Sequence, residues 1–274
     1  MKSYENIMYK QTDRRPLYLD VHMPEGTENP PLVFWIHGGG WSGLNRKWNL
    51  MMSMVERGYA VASPDYRYND EGKFPTQIVD LKDALLFLRE HAAEYGYDPS
   101  KVIASGDSAG AHLAAMMAVS AGNADWESRP GDYSIQASVL FNGCFWLPVR
   151  SKKGTDSELS KLLGAPGGTQ TFVSRAANAS PISHIDGSEG PVLLIHGTRD
   201  EVVSNLQSRR MRDALEAAGV PVHYYLVPGG VHGMCSQVLD DVIVEFMDYY
   251  IKGHTTVQNP KIAPEQERYI PVVE

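Results

Sequence analysis

The sequence predicts an α/β fold with a mostly parallel sheet of about eight strands, helices on both faces and a small insertion. Three observations carry this. Continuous apolar, β-branched-rich runs recur at residues 32–36, 60–63, 137–141, 192–195 and 222–227, as in strands buried on both faces. Helical spacing of apolar residues separates them, for example Ile78, Leu81, Leu85 and Leu88. A further strand at Val102 and Ile103 runs through Gly106-Asp107-Ser108-Ala109-Gly110 into an Ala- and Met-rich helical stretch, so strand and helix alternate as in a parallel α/β sheet.

Taken in order, residues 5–10 and 17–22 read as an antiparallel hairpin at a sheet edge, turned at Asp13-Arg14-Arg15-Pro16. The strand at 32–36 ends in His37-Gly38-Gly39-Gly40-Trp41. Three adjacent glycines are entropically costly, which points to close backbone approach at that turn. A helix is expected over 48–57 and another, capped by Thr76, over 76–95. Residues 144–183 break the alternation and read as a lid-like insertion at the carboxyl edge of the strands, where open α/β sheets bind ligands. Ser204 is a cap for a helix with Leu206, Met211, Leu215 and Ala218 inward and Gly219 as its stop. Ser236 caps the last helix, with Leu239, Val242, Phe246 and Tyr249 on one face.

Composition bounds the function. With 43% hydrophobic and 21% charged residues, 274 residues can bury an ordinary core as one domain over 1–274, with a polar tail from about 254 to 274. The net charge of −8, without a basic run, argues against a nucleic-acid or anionic-membrane partner. No apolar run approaches the roughly 18 residues of a membrane span. Two cysteines, Cys144 and Cys235, make no disulfide framework and fit a reducing compartment. Cytoplasmic is therefore the expected location, although a secreted chain whose signal peptide had been removed would read the same. Metal-ligand spacing, a dinucleotide fingerprint and a phosphate loop are all missing from the sequence, so no metal and no cofactor are expected. The oligomeric state is left open, a homodimer among the options.

The chemistry centres on Ser108. In G-x-S-x-G between strand and helix, the glycines let the chain reverse and hold the serine hydroxyl exposed at the apex. The next amide, Ala109, lies at a helix N-terminus, where negative charge is favoured. A turn serine can have no further role, so its companions decide. A serine hydroxyl becomes nucleophilic when a neutral imidazole takes its proton and a carboxylate orients that imidazole. Asp200 follows the end of the strand at 192–195, and His232 follows the last strand. Both belong to the same sheet edge as Ser108, in the order Ser, Asp, His. His37, His112 and His196 read as structural histidines, and Glu201 and Asp240 as solvated surface.

Five ordered segments, HGGGW at 37–41, Phe74-Pro75 before a helix, GDSAG at 106–110, HGTRDEVV at 196–203 and GGVHG at 229–233, resemble landmarks of α/β-hydrolase carboxylesterases. They are most similar to the HGGG-type, hormone-sensitive-lipase-like branch and to carbohydrate and feruloyl esterases. The resemblance implies Ser108 as nucleophile, His232 as base, Asp200 as its partner, and Gly39, Gly40 and Ala109 as oxyanion-hole donors. It implies a serine hydrolase of small esters, with short acyl or with sugar- or aromatic-linked groups, and a small-molecule ester as its partner. Trp41, Tyr66, Phe145 and Trp146 are the expected substrate-binding aromatics near the mouth. An arylformamidase with the same triad is the alternative enzyme, since the segment at 108–113 resembles that family as well. A non-catalytic binding module on the same fold is the alternative from another class.

Overall fold

The structure, a computed structural model, describes residues 1–148, 156–234 and 237–253. Eight strands form one sheet: β1 (Lys2–Gln11), β2 (Pro16–Met23), β3 (Pro31–Ile36), β4 (Ala60–Pro64), β5 (Asp98–Asp107), β6 (Ala137–Phe141), β7 (Val192–Gly197) and β8 (Val222–Val227), in the order β1-β2-β4-β3-β5-β6-β7-β8. The β1–β2 and β2–β4 pairs are antiparallel; every other pair is parallel. The expected edge hairpin is present. The chain leaves β3 toward β4 on one side and returns as β5 on the other, so strand order reverses between β3 and β5, where ligands bind in open sheets.

Both faces of the sheet are covered. In β3, Leu32, Phe34 and Ile36 enter one apolar cluster, while Val33 and Trp35 enter the other. This two-residue alternation with both faces apolar is why the strand reads as a continuous hydrophobic run. The first face packs on α2 (Thr76–Glu90) and α4 (Ala109–Val119). The second packs on α1 (Ser53–Glu56) and α8 (Gln237–Ile251). α3 is the short turn Ala92–Tyr95, and α7 (Leu206–Ala217) lies between β7 and β8.

Several expected elements differ. The helix expected over 48–57 is reduced to α1, because the preceding residues bond locally: Trp48 N–H donates to Asn45 O, Met51 N–H to Asn49 Oδ1, and the Trp35 indole to Trp48 O. Such bonds offer the backbone an alternative to helix. The 76–95 helix breaks at His91, whose ring stacks on Phe87 and bonds its carbonyl. Thr76 does not cap it; Pro75 holds that position, and the Thr76 N–H already donates to Lys73 O. Asn205 stands between Ser204 and α7, and Ser204 holds the helix start through its carbonyl on Gln207 N–H at 2.9 Å and its hydroxyl on Leu206 N–H at 3.4 Å. Leu206 and Tyr249 are exposed, not inward. Residues 144–183 contain two helices, α5 (Asp156–Leu163) and α6 (Gln170–Asn178). The Ser236 cap and the tail from 254 lie outside the described residues.

A buried carboxylate pins the hairpin and the segment after β4 to α2. Asp80 is fully buried and receives Lys10 Nζ at 2.6 Å and Arg67 Nε and Nη2, each at 2.8 Å. Removing one partner of such a group leaves its mates desolvated with weaker bonds. Asp80→Ala is expected to lose roughly 3 kcal/mol or more, read as a lowered urea midpoint; a change within about 0.5 kcal/mol would contradict this role.

Candidate active site

The elbow is built by backbone contact. Ser108 sits between β5 and α4 at φ 54° and ψ −119°, a strained conformation for a residue with a side chain. A Cβ at Gly110 would lie 2.0 Å from Ile36 O, and one at Gly106 would lie 2.5 Å from the Gly110 carbonyl. Only glycine lets β3, β5 and α4 meet this closely. The apex is held from both sides, with Ser108 N–H donating to Phe141 O at 2.8 Å and His112 N–H donating to Ser108 O at 3.1 Å.

Beside it runs the loop after β3, left-handed at Gly39 (φ 90°), Gly40 (φ 62°) and Trp41 (φ 59°). Its carbonyls are tied down: the Tyr66 hydroxyl reaches His37 O at 3.0 Å and Gly38 O at 3.2 Å, and its ring stacks on His37 at 4.3 Å. The Trp41 indole donates to His112 Nδ1 at 3.1 Å. An indole can only donate, so His112 carries its proton on Nε2, facing Ala179 O at 2.7 Å. Among the described residues, the N–H groups of Gly39, Gly40 and Ala109 have no protein acceptor. They are free donors beside the serine.

Asp200 and His232 come together across two loops. Arg199 N–H donates to Gly230 O at 2.9 Å, and Gly197 allows this packing because a Cβ there would lie 2.2 Å from Gly230 O. Asp200 Oδ2 meets His232 Nδ1 at 2.7 Å, while Oδ1 accepts from Val202 and Val203 N–H, both at 2.8 Å. His196 Nε2 approaches the same Oδ2 at 3.3 Å, and its Nδ1 faces Ser208 Oγ at 2.8 Å. Burial by itself would raise the Asp200 pKa, yet the hydrogen bonds from His196, His232 and Val203 outweigh it and hold the carboxyl well below its usual range. With Nδ1 turned to the carboxylate, His232 keeps Nε2 for a second partner. Burial and the nearby Asp200 charge push the Cys144 thiol up to about 12, so it is no nucleophile. No three metal-ligating side chains are grouped among the described residues.

The expected aromatics need correction. Tyr66 and Phe145 are completely buried and Trp41 is 5% exposed, so they line no surface a substrate could reach. Tyr66 and Trp41 support the glycine loop, and Phe145 packs against Gly143. Trp146 alone of the four is partly exposed. Two residues were passed over. His196 Nε2 bonds the Val203 carbonyl at 2.9 Å and stands 3.3 Å from the Asp200 carboxylate, a proximity foreshadowed by its position four residues earlier at the end of β7. Trp48, expected within a helix, stands in an extended loop with its carbonyl accepting the Trp35 indole N–H at 2.7 Å and is itself 42% exposed. Its place in the loop that follows HGGGW was the available signal.

An eight-stranded, mostly parallel sheet with a serine elbow after β5 and an acid and a histidine after β7 and β8 is the α/β-hydrolase fold. Solved structures agree. A truncated carbohydrate esterase from gut microbiota superposes with a TM-score of 0.80 at 26% identity, over 92% of this chain and 97% of that one. Esterase Est2 of Thermogutta terrifontis gives 0.73 at 25% identity, over 91% and 94%. The chain belongs to the BD-FAE family, whose profile matches residues 19–215. Esterase LipQ of Mycobacterium tuberculosis is 34% identical over 220 residues, 74% of this chain and 50% of that protein. A probable isoprenylcysteine alpha-carbonyl methylesterase of Oryza sativa is 35% identical over 241 residues, 78% of this chain and 54% of that protein. The chain spans about half the length of these named relatives.

Two outcomes follow from this geometry. Gly110→Ala forces a backbone collision that no rotamer relieves and is expected to cost roughly 2 to 4 kcal/mol or prevent folding, seen by circular dichroism and urea melts; near-parental stability would contradict the close contact. Burial holds His37, His112 and His223 down to about 4, against 6.5 when free. Between these values the unfolded chain binds more protons than the folded one, so stability is full above about pH 6.5 and falls as the pH drops toward 4. The urea midpoint should fall across that window; a flat profile would count against neutral buried imidazoles.

Proposed function

We propose that this protein is a serine carboxylic-ester hydrolase acting through an acyl-enzyme. The observation that carries the reading is the 2.7 Å Asp200–His232 contact at the sheet edge where Ser108 stands beside unpaired backbone donors. Ser108 Oγ attacks the acyl carbon while His232 Nε2 takes its proton, and Asp200 stays ionised to stabilise the imidazolium. The Gly39, Gly40 and Ala109 N–H groups receive the negative charge on the acyl oxygen. His232 then passes the proton to the departing alcohol, and a water activated by the same imidazole releases the acid.

The substrate class is a small ester. The insertion at 144–183 reaches the glycine-loop side, where Asn69 Nδ2 donates to Glu158 Oε2 at 2.8 Å and Phe74 N–H to Leu162 O at 2.9 Å. We read it as a lid that limits the acyl pocket to short chains. Cysteine usage supports a cytoplasmic setting. Ser108→Ala is expected to lower p-nitrophenyl acetate turnover on the order of 10⁴-fold or more with the fold intact by circular dichroism. Activity within tenfold of the parent would refute the mechanism.

A further inference from the structure

Tryptophan is an unusual residue for position 41. Ser42 N–H donates to Gly39 O at 3.1 Å, closing a turn whose central residues, Gly40 (φ 62°) and Trp41 (φ 59°), are both left-handed. Glycine, asparagine and aspartate dominate such turns, and a bulky side chain persists there only where its surroundings fix it. If Trp41 relaxes, the turn opens and the Gly39 and Gly40 amides move with it.

Trp41 is held at its side chain and at its backbone. The indole donates to His112 Nδ1 at 3.1 Å and meets that imidazole edge to face at 5.4 Å, while the Trp41 carbonyl accepts Asn69 N–H at 2.8 Å. Upstream, the Tyr66 hydroxyl holds the His37 and Gly38 carbonyls. The Gly39 and Gly40 donors therefore lie between two anchored ends. The indole N–H needs an acceptor, and imidazole Nδ1 is one only while the proton sits on Nε2. Ala179 O, 2.7 Å from Nε2, keeps it there. Ala179 caps α6, so the far end of the insertion selects the tautomer that lets His112 hold Trp41. His112 is completely buried in the first turn of α4, and its own N–H is bonded to Ser108 O. One side chain thus joins the nucleophile's backbone, the glycine turn and the insertion.

We infer that His112 is a positioning residue of the oxyanion hole: through Trp41 it holds the Gly39–Gly40 turn in place against Ser108, and it takes its proton placement from the insertion. This rests on the ester-hydrolase reading above. Donors of this kind act on charge that develops during the reaction and little on the bound ester, so displacing them lowers kcat while KM stays nearly constant.

The test compares kcat and KM on p-nitrophenyl acetate, together with urea midpoints, for the parent, Trp41→Phe, His112→Gln and His112→Asn. Asparagine places a carbonyl oxygen where Nδ1 stands, so it keeps the indole bond and leaves Ala179 O unmet; glutamine places an amide nitrogen near Nε2, so it keeps Ala179 and leaves the indole unmet. Each variant leaves one buried group unpaired, and both should lose stability to a similar degree. Their kinetics should part. His112→Gln and Trp41→Phe should lower kcat about tenfold or more with KM within about threefold of the parent, while His112→Asn should stay within about threefold in both constants. A parental kcat in Trp41→Phe, equal kcat losses in the two His112 variants, or losses confined to KM would overturn the inference. Should a His112 variant fail to fold, Trp41→Phe decides alone by the same kcat and KM criterion. A parent inactive on the ester would overturn the hydrolase reading itself and this inference with it.

Discussion

The contact between the backbones of β3, β5 and α4 is the constraint on which the rest of the molecule depends. Gly110 rests against the Ile36 carbonyl at a distance that excludes any side chain. That approach fixes Ser108 at a strained apex and sets the glycine loop after β3 beside it. Because β3 and β5 are also where strand order reverses, their carboxyl ends form the edge at which open α/β sheets bind ligands.

Around this point the protein separates rigid support from free donors. Carbonyls of the loop are occupied by Tyr66, and Trp41 and His112 lock the turn from below. The amides of Gly39, Gly40 and Ala109 face no protein acceptor among the described residues. Donors prepared in this way need no reorganisation when charge develops on a substrate oxygen. Asp200 shows the complementary arrangement. Its side chain is wholly buried, and two backbone amides and two imidazoles surround it. A carboxylate so satisfied stays ionised and keeps the His232 ring in one orientation.

Much of this was legible in the chain itself. Strands buried on both faces announce themselves as unbroken apolar runs, and a residue just past a parallel strand is placed at the carboxyl edge by that fact alone; the positions of Ser108, Asp200 and His232 past β5, β7 and β8 were readable this way. Side-chain direction within a loop was not legible. Trp41 and Trp48 both follow β3, yet a hydrogen bond to His112 draws the first inward, while bonds of the Trp48 backbone to Asn45 and Trp35 leave the second exposed. Helical spacing at 48–57 was likewise overruled by local side-chain and indole bonds that periodicity does not register. His196 was read as a structural histidine, and its buried ring is satisfied by Ser208 and the Val203 carbonyl; its proximity to Asp200 becomes visible only when the turn after β7 folds back.

The convergence of serine, imidazole and carboxylate is tested most directly by peptide mass mapping after reaction with a fluorophosphonate. A single adduct on the peptide containing Ser108, formed rapidly in the parent and slowed by several orders of magnitude in His232→Ala, is the predicted result. An adduct on another residue, or unchanged labelling of Ser108 without the imidazole, would contradict it.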